Sequence, residues 1–138
     1  MKDENCIFCK IANGEIPSDT VYEDTAFRVI LDLNPASKGH ALILPKDHHA
    51  DITDLPEKTC SSAFRLAARV GAAMTDSLGC AGFNVVQNNG EAAGQTVFHF
   101  HVHVIPRYKD GPSMVTWKPG TSVPAEQAEL AKKIAEAL

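Results

Sequence analysis

Seven consecutive residues, Phe98-His99-Phe100-His101-Val102-His103-Val104, alternate apolar side chains with imidazoles without a break. A period of two belongs to a β-strand, where successive side chains leave opposite faces. Val97 to Ile105 is therefore predicted to be a strand with one apolar face and one face of three imidazoles. Polar alternation alone is ordinary in a half-buried strand, but three outward positions in a row filled by histidine point to chemistry. A chain holding such a strand must build a core against one side and offer the other to a ligand.

Same-face neighbours stand about 6.6 Å apart at Cα, so His99 and His103 are about 13 Å apart, too far for one zinc to gather all three rings. Two neighbouring rings completed by His40, His48 or a carboxylate would make an open zinc that activates water, which is one reading of the pattern. The other is phosphorus chemistry. A neutral imidazole is a nucleophile at neutral pH, and a phosphorylated one is labile enough to hydrolyse. His101 is the central ring, and His103 can donate a proton to phosphate oxygens or to a leaving group. Just upstream, Gly90 and Gly94 permit close backbone approach to a phosphate, and the Gln95 amide and Thr96 hydroxyl can hold its charge. The loop carries no Gly-Lys-[Ser/Thr] and opens no helix, so it is neither a Walker nor a dinucleotide loop.

The chain has 138 residues, enough for a single domain with a core of its own. A net charge of −4 argues against a partner of long nucleic acid. No apolar run approaches the roughly 20 residues of a membrane span, and the start lacks a signal-peptide pattern, so the expected location is cytoplasmic. The four cysteines, Cys6, Cys9, Cys60 and Cys80, are then expected to be reduced.

Patterning predicts a short helix over 5–13 capped by Asn5, a hairpin of Val21–Glu23 and Ala26–Leu31, and a strand His40–Leu44. A long helix is predicted from Pro56 to Leu78, with Cys60, Ala63, Phe64, Ala67, Val70, Met74 and Leu78 on its core face and Gly79 ending it. Its small residues Ala67, Ala68, Gly71 and Ala72 suit close packing on a sheet or a dimer seam. Gly82–Gln87 is a further strand, residues 106–123 are expected to be irregular, and Pro124–Ala137 reads as a terminal helix.

His99-Phe100-His101-Val102-His103-Val104-Ile105, preceded by Gly94-Gln95-Thr96, resembles the signature of the histidine triad (HIT) superfamily of nucleotide hydrolases and transferases. The resemblance extends through Cys6-Ile7-Phe8-Cys9-Lys10-Ile11, Asp32-Leu33-Asn34-Pro35, Gly39-His40 and Pro45-Lys46-Asp47-His48, covering about residues 5–107 and leaving a tail at 108–138. It implies an α+β fold with a five-stranded antiparallel sheet per subunit, one long helix, short terminal helices, and a homodimer. It further implies that His101 attacks the α-phosphorus of a purine nucleotide conjugate and forms a nucleotidyl-histidine. His103 then contacts phosphate or leaving group, and His40 orients the histidine strand. Gly94, Gln95, Thr96 and Asn88 surround phosphate, Asp32 accepts from the ribose, and Ile7, Phe8, Ile30 and Leu33 wall the base. Ile30 stands where Hint-type members often place an aromatic.

Cys6 and Cys9 have the C-x-x-C spacing of zinc ligands, with no second such pair in the chain. Relatives with this pair add the first triad histidine and the histidine of Pro-Lys-x-His, here His99 and His48, which implies a closed structural zinc and chemistry that needs no cofactor. His49 is read as a surface residue, although register could exchange it with His48, and Cys60 and Cys80 as buried thiols. The N-terminal motif resembles the Hint-like branch, which takes phosphoramidates and acyl-adenylates. His-Val-Ile-Pro-Arg resembles the Fhit type, which takes dinucleoside polyphosphates. A zinc-water hydrolase and a non-catalytic nucleotide-sensing module are the rivals of other classes.

Overall fold

The computed structural model describes residues 1–112 and 117–138. Its elements run α1 (Ile7–Ala12), β1 (Thr20–Glu23), β2 (Phe27–Leu31), β3 (Ala41–Pro45), α2 (Glu57–Leu78), β4 (Gly82–Val86), β5 (Val102–Arg107) and α3 (Pro124–Ala137), with short 3-10 turns at Ile52–Asp54 and Glu91–Ala93. The strands form one five-stranded antiparallel sheet in the order β1-β2-β3-β5-β4. This is the α+β architecture expected from the sequence.

One face of the sheet packs on α2. Val29, Ala41, Ile43, Phe100, Val102 and Val104 meet Ala63, Leu66, Ala67, Val70 and Met74 there in a continuous apolar core. The opposite face holds a smaller cluster, in which Ala12, Phe8 and Ile11 cover Ile30, Leu42 and Leu44. Within α2 the core stripe includes Leu66 and Gly71, whereas Phe64 and Leu78 are exposed, so the stripe is rotated from the expected one. Gly71 explains the small residues: a Cβ there would lie 2.3 Å from the Phe83 ring, so its absence lets β4 approach the helix. No described helix is long and apolar enough to cross a membrane.

Three boundaries differ from the sequence reading. Cys6, not Asn5, caps α1, its Sγ accepting from the Cys9 N–H at 3.4 Å. β5 begins at Val102, five residues later than expected, because Pro45 ends β3, has no N–H to give, and spends its carbonyl on the His99 ring at 2.9 Å. His99 and His101 therefore sit in a lead-in that bends at 97–99 rather than in the ladder. At the other end β5 runs on through Pro106 and Arg107, part of the segment expected to be irregular. Within that segment, 113–116 lie outside the described residues. Cys80 is buried, but Cys60 is only partly so, and all four cysteines are free thiols.

Candidate functional site

The imidazole side of the histidine segment is buried, not solvated: His99 is 0 % and His101 6 % exposed. Phe8 of α1 meets both rings edge-on, with centroids 6.1 Å from His99 and 5.0 Å from His101. The lead-in is thus held between α1 on one side and the α2 core, through Phe100, on the other.

Hydrogen-bond partners fix which nitrogen of each ring carries the proton. A carbonyl only accepts, so His99 donates from Nε2 to Pro45 O at 2.9 Å and His101 donates from Nδ1 to its neighbour's carbonyl, His99 O, at 2.7 Å. The neutral rings then have lone pairs on His99 Nδ1 and His101 Nε2. His40 Nδ1 accepts from the Ala36 N–H at 3.0 Å, so its Nε2 holds the proton and donates to His103 Nδ1 at 2.9 Å. His103 is left with its proton on Nε2.

Burial is the main reason all four rings stay neutral. It holds His103 and His99 down to about 4, and it lowers His101 and His40 from the usual imidazole value. The Asp32 carboxylate opposes the shift at His40, His101 and His103 without reversing it.

A cavity of about 780 Å³ opens against His101 and His103. Of the residues expected to bind a nucleotide, Ile7, Phe8, Ile30, Asp32, Leu33, Thr96, His101 and His103 line it. Ile7 and Leu33 remain exposed, so the apolar end is an open mouth. Asp32 spends Oδ1 on the Asn34 N–H at 2.8 Å and holds Oδ2 3.7 Å from His40 Nε2. The wall also includes Ile11, Ile16, Pro17, Ser18, Asp19, Leu42 and Val97, which sequence reasoning did not single out. Residues 16–19 carry no motif; they reach the cavity because the Asp19 carbonyl pairs with the Leu31 N–H at 2.9 Å, beyond the end of β1.

Asn88, Gly94, Gln95 and His40 do not line this cavity. Gln95 is buried with its Oε1 on the Gly90 N–H at 2.8 Å and its Nε2 on the carbonyls of Ala50 and Val97 at 2.7 and 3.1 Å. Both its polar atoms are engaged in shaping the loop. Gly90 and Gly94 bracket that loop with φ of +85° and +90°, a conformation that glycine adopts without strain.

Cys6, Cys9, His48 and His99 converge, all four ligand atoms lying within 4.8 Å of one another. Sγ to Nδ1 separations are 3.4 Å for Cys6–His99 and 3.5 Å for both Cys9–His48 and Cys9–His99. A tetrahedral zinc with ordinary bond lengths sets sulfur and nitrogen ligands about 3.6 Å apart, so this donor set fits the ion. The tautomer of His99 presents its lone pair to the thiols. Burial pushes the Cys9 thiol up, a cost that binding a cation as thiolate removes. His49 stands apart, 3.7 Å from Asp54. Asp32, His40 and His103 also cluster, but the Ala36 N–H keeps the His40 proton on the nitrogen that would have to bind the metal.

A family model described as HIT domain matches residues 13–110. The chain is 42% identical to Protein hit of Bacillus subtilis over 116 residues, 83% of this chain and 80% of that protein. It is 42% identical to an adenosine 5'-monophosphoramidase of Schizosaccharomyces pombe over 103 residues, 75% of this chain and 74% of that protein. Among solved structures, a Zn-bound histidine triad family protein from Mycobacterium smegmatis superposes with a TM-score of 0.75 at 34% identity, covering 95% of this chain and 96% of that one. The buried row of histidines beside a nucleotide-sized cavity agrees with a match that runs through nearly all of both, and the chain belongs to the HIT domain family.

Proposed function

We propose that the chain hydrolyses purine nucleotide conjugates, releasing a nucleoside monophosphate from an amine or acyl leaving group through a nucleotidyl-His101 intermediate. One observation carries this reading: His101 lines the cavity while its Nδ1–H is tied to the His99 carbonyl, so the nitrogen left free is an unprotonated Nε2. As Nε2 bonds to the α-phosphorus, positive charge develops on the ring, and the carbonyl already facing Nδ1–H stabilises it. The bond from phosphorus to the leaving group breaks as the departing amine takes a proton from solvent, and the neutral His103 Nε2–H hydrogen-bonds to the phosphate or to the leaving atom. Water then attacks the phosphorus, the bond to His101 breaks and its ring returns to the neutral Nδ1–H form, and the proton that water sheds goes back to solvent.

In this reading Asp32 accepts from the ribose and Ile7, Phe8, Ile30 and Leu33 flank the base. Thr96 faces the phosphate from the cavity wall, Gly94 and Asn88 of the same loop reach it from outside the cavity lining, and Gln95 sets that loop's shape. Cys6, Cys9, His48 and His99 would hold a zinc ion, which when bound ties α1 to the lead-in as a structural cross-link and has no place left for substrate. A homodimer completes the proposal, supported by the apolar rings of Phe64 on α2 and Phe83 on the edge strand β4, both exposed in the single chain.

Comparing hydrolysis of an adenosine phosphoramidate with that of a dinucleoside polyphosphate tests the substrate class, with faster turnover of the phosphoramidate expected. A labelled acyl-adenylate analogue should leave a nucleotidyl adduct on the denatured wild type and none on His101→Ala. Label retained by the variant, or found on another residue, would overturn the mechanism.

A further inference from the structure

We propose that the backbone N–H of Ala36 acts at a distance on the reaction, locking the His40–His103 pair in the one arrangement in which His103 turns an N–H donor, rather than a lone pair, to the cavity. The inference rests on the hydrolase reading for its chemistry, but the lock itself is a property of the free protein.

Two imidazoles sharing one hydrogen bond have two equivalent states, with the shared proton on either ring. His40 Nε2 and His103 Nδ1 stand 2.9 Å apart, and nothing in that pair alone chooses between them. The choice is made on the far side of His40, where Nδ1 lies 3.0 Å from the N–H of Ala36. A backbone N–H can only donate, so Nδ1 must stay unprotonated and Nε2 must carry the proton. That proton occupies His103 Nδ1 as acceptor and leaves the second His103 proton on Nε2. In the opposite state two N–H groups would face each other at Ala36, and His103 would reach the cavity with a lone pair.

The turn that presents the Ala36 N–H is itself held. His40 N–H donates to the Ser37 carbonyl at 3.1 Å, the Asp32 N–H to the His40 carbonyl at 2.9 Å, and the Ser37 hydroxyl to the Pro106 carbonyl of β5. The Ala36 side chain is exposed, so the position acts through its amide alone. His40 does not line the cavity and is a positioning residue; His103 lines it and offers the N–H. No ring changes its net proton count in the resting state; the lock selects where one proton sits. In the first half-reaction the His103 Nε2–H keeps its proton and hydrogen-bonds to the departing amine nitrogen, which takes its proton from solvent as the phosphorus–nitrogen bond breaks and the bond from phosphorus to His101 Nε2 forms.

The test uses the full zinc-loaded chain with nitrogen-15-labelled histidine. Two-bond nitrogen–proton correlation spectra at neutral pH should show His40 and His103 both with the proton on Nε2. Ala36→Gly keeps the N–H and should leave that pattern. Ala36→Pro removes it, and His40→Asn keeps an acceptor for it but loses the donor to His103; each should shift His103 toward the Nδ1–H form. Should Ala36→Pro fail to fold, His40→Asn decides alone.

Single-turnover rates supply the second readout. In the variants an alkylamine leaving group, whose nitrogen builds up charge that a hydrogen-bond donor must meet, should slow about tenfold or more, while a nitrophenolate leaving group, which spreads its own charge, should slow far less. A wild-type His103 carrying its proton on Nδ1, or equal losses with both leaving groups, would overturn the proposal. If the wild type turned over neither substrate, the hydrolase reading would fail, and the spectra would still decide whether the lock exists.

Discussion

His103 lies between His40, His101 and the carboxylate of Asp32, and its burial sets an acid limit on the fold. An unfolded chain protonates this imidazole near the ordinary value of about 6.5, whereas the folded ring resists until about 4. Between those values the unfolded state binds the extra proton. The stability contributed by the neutral ring is thus complete above pH 6.5 or so and is lost as pH falls toward 4. Urea midpoints measured from about pH 7 to about pH 4.5 should fall more steeply for the wild type than for His103→Gln; parallel profiles would remove His103 from the account. Gln95 makes a second claim at this scale. Replacing it with Leu strands the Gly90 N–H and the Ala50 carbonyl, and should cost about 1–3 kcal/mol of stability by chemical denaturation. The sequence marked Gln95 as a phosphate contact because an amide beside a glycine loop suits that task; that its atoms would turn to the backbone depends on Ala50, far away in the chain.

Six residues make too short a helix to persist alone, so α1 must be held by what it touches. Its anchors are the apolar cover over Ile30, Leu42 and Leu44 and the four-residue group of Cys6, Cys9, His48 and His99. Cys9→Ser should therefore raise amide hydrogen exchange across Ile7–Ala12 while leaving β3 and β5 protected, and it should raise KM for a nucleotide by loosening Phe8. Unchanged exchange in α1 would mean that apolar packing alone secures it. This element was legible because apolar spacing and Asn13-Gly14 bound it, but its cap was not, since a thiol is an uncommon choice. The late start of β5 was equally hidden. Alternation in the sequence is the same in a paired strand and in the bent lead-in that precedes it, and only the neighbour, Pro45, decides where pairing stops.

At the scale of the molecule, the sheet has two free edges, β1 and β4, and β4 is the one flanked by exposed Phe83, Val85 and Phe64. Light scattering should give twice the chain mass, and a Phe83→Lys, Val85→Lys double variant should give the single-chain mass; a wild-type monomer would overturn the dimer. The strand set and the long helix could be read from periodicity because each is fixed by contacts that repeat along the chain; the terminal helix, none of whose residues is buried, was legible from the proline at its first turn. The cavity could be read only in part. Its histidines and the walls from α1 and β2 carry motifs, whereas residues 16–19 join it through one hydrogen bond beyond a strand end.

His99 performs two tasks with different parts of itself. Its ring faces the cysteines, but the group that holds the His101 ring is its main-chain oxygen, which every amino acid possesses. Evolution is therefore free to trade this side chain without releasing His101. On the proposed zinc and hydrolase readings, His99→Gln should weaken zinc binding and keep much of the chemical rate once folded, so descendants that discard the cysteine pair can discard this imidazole with it.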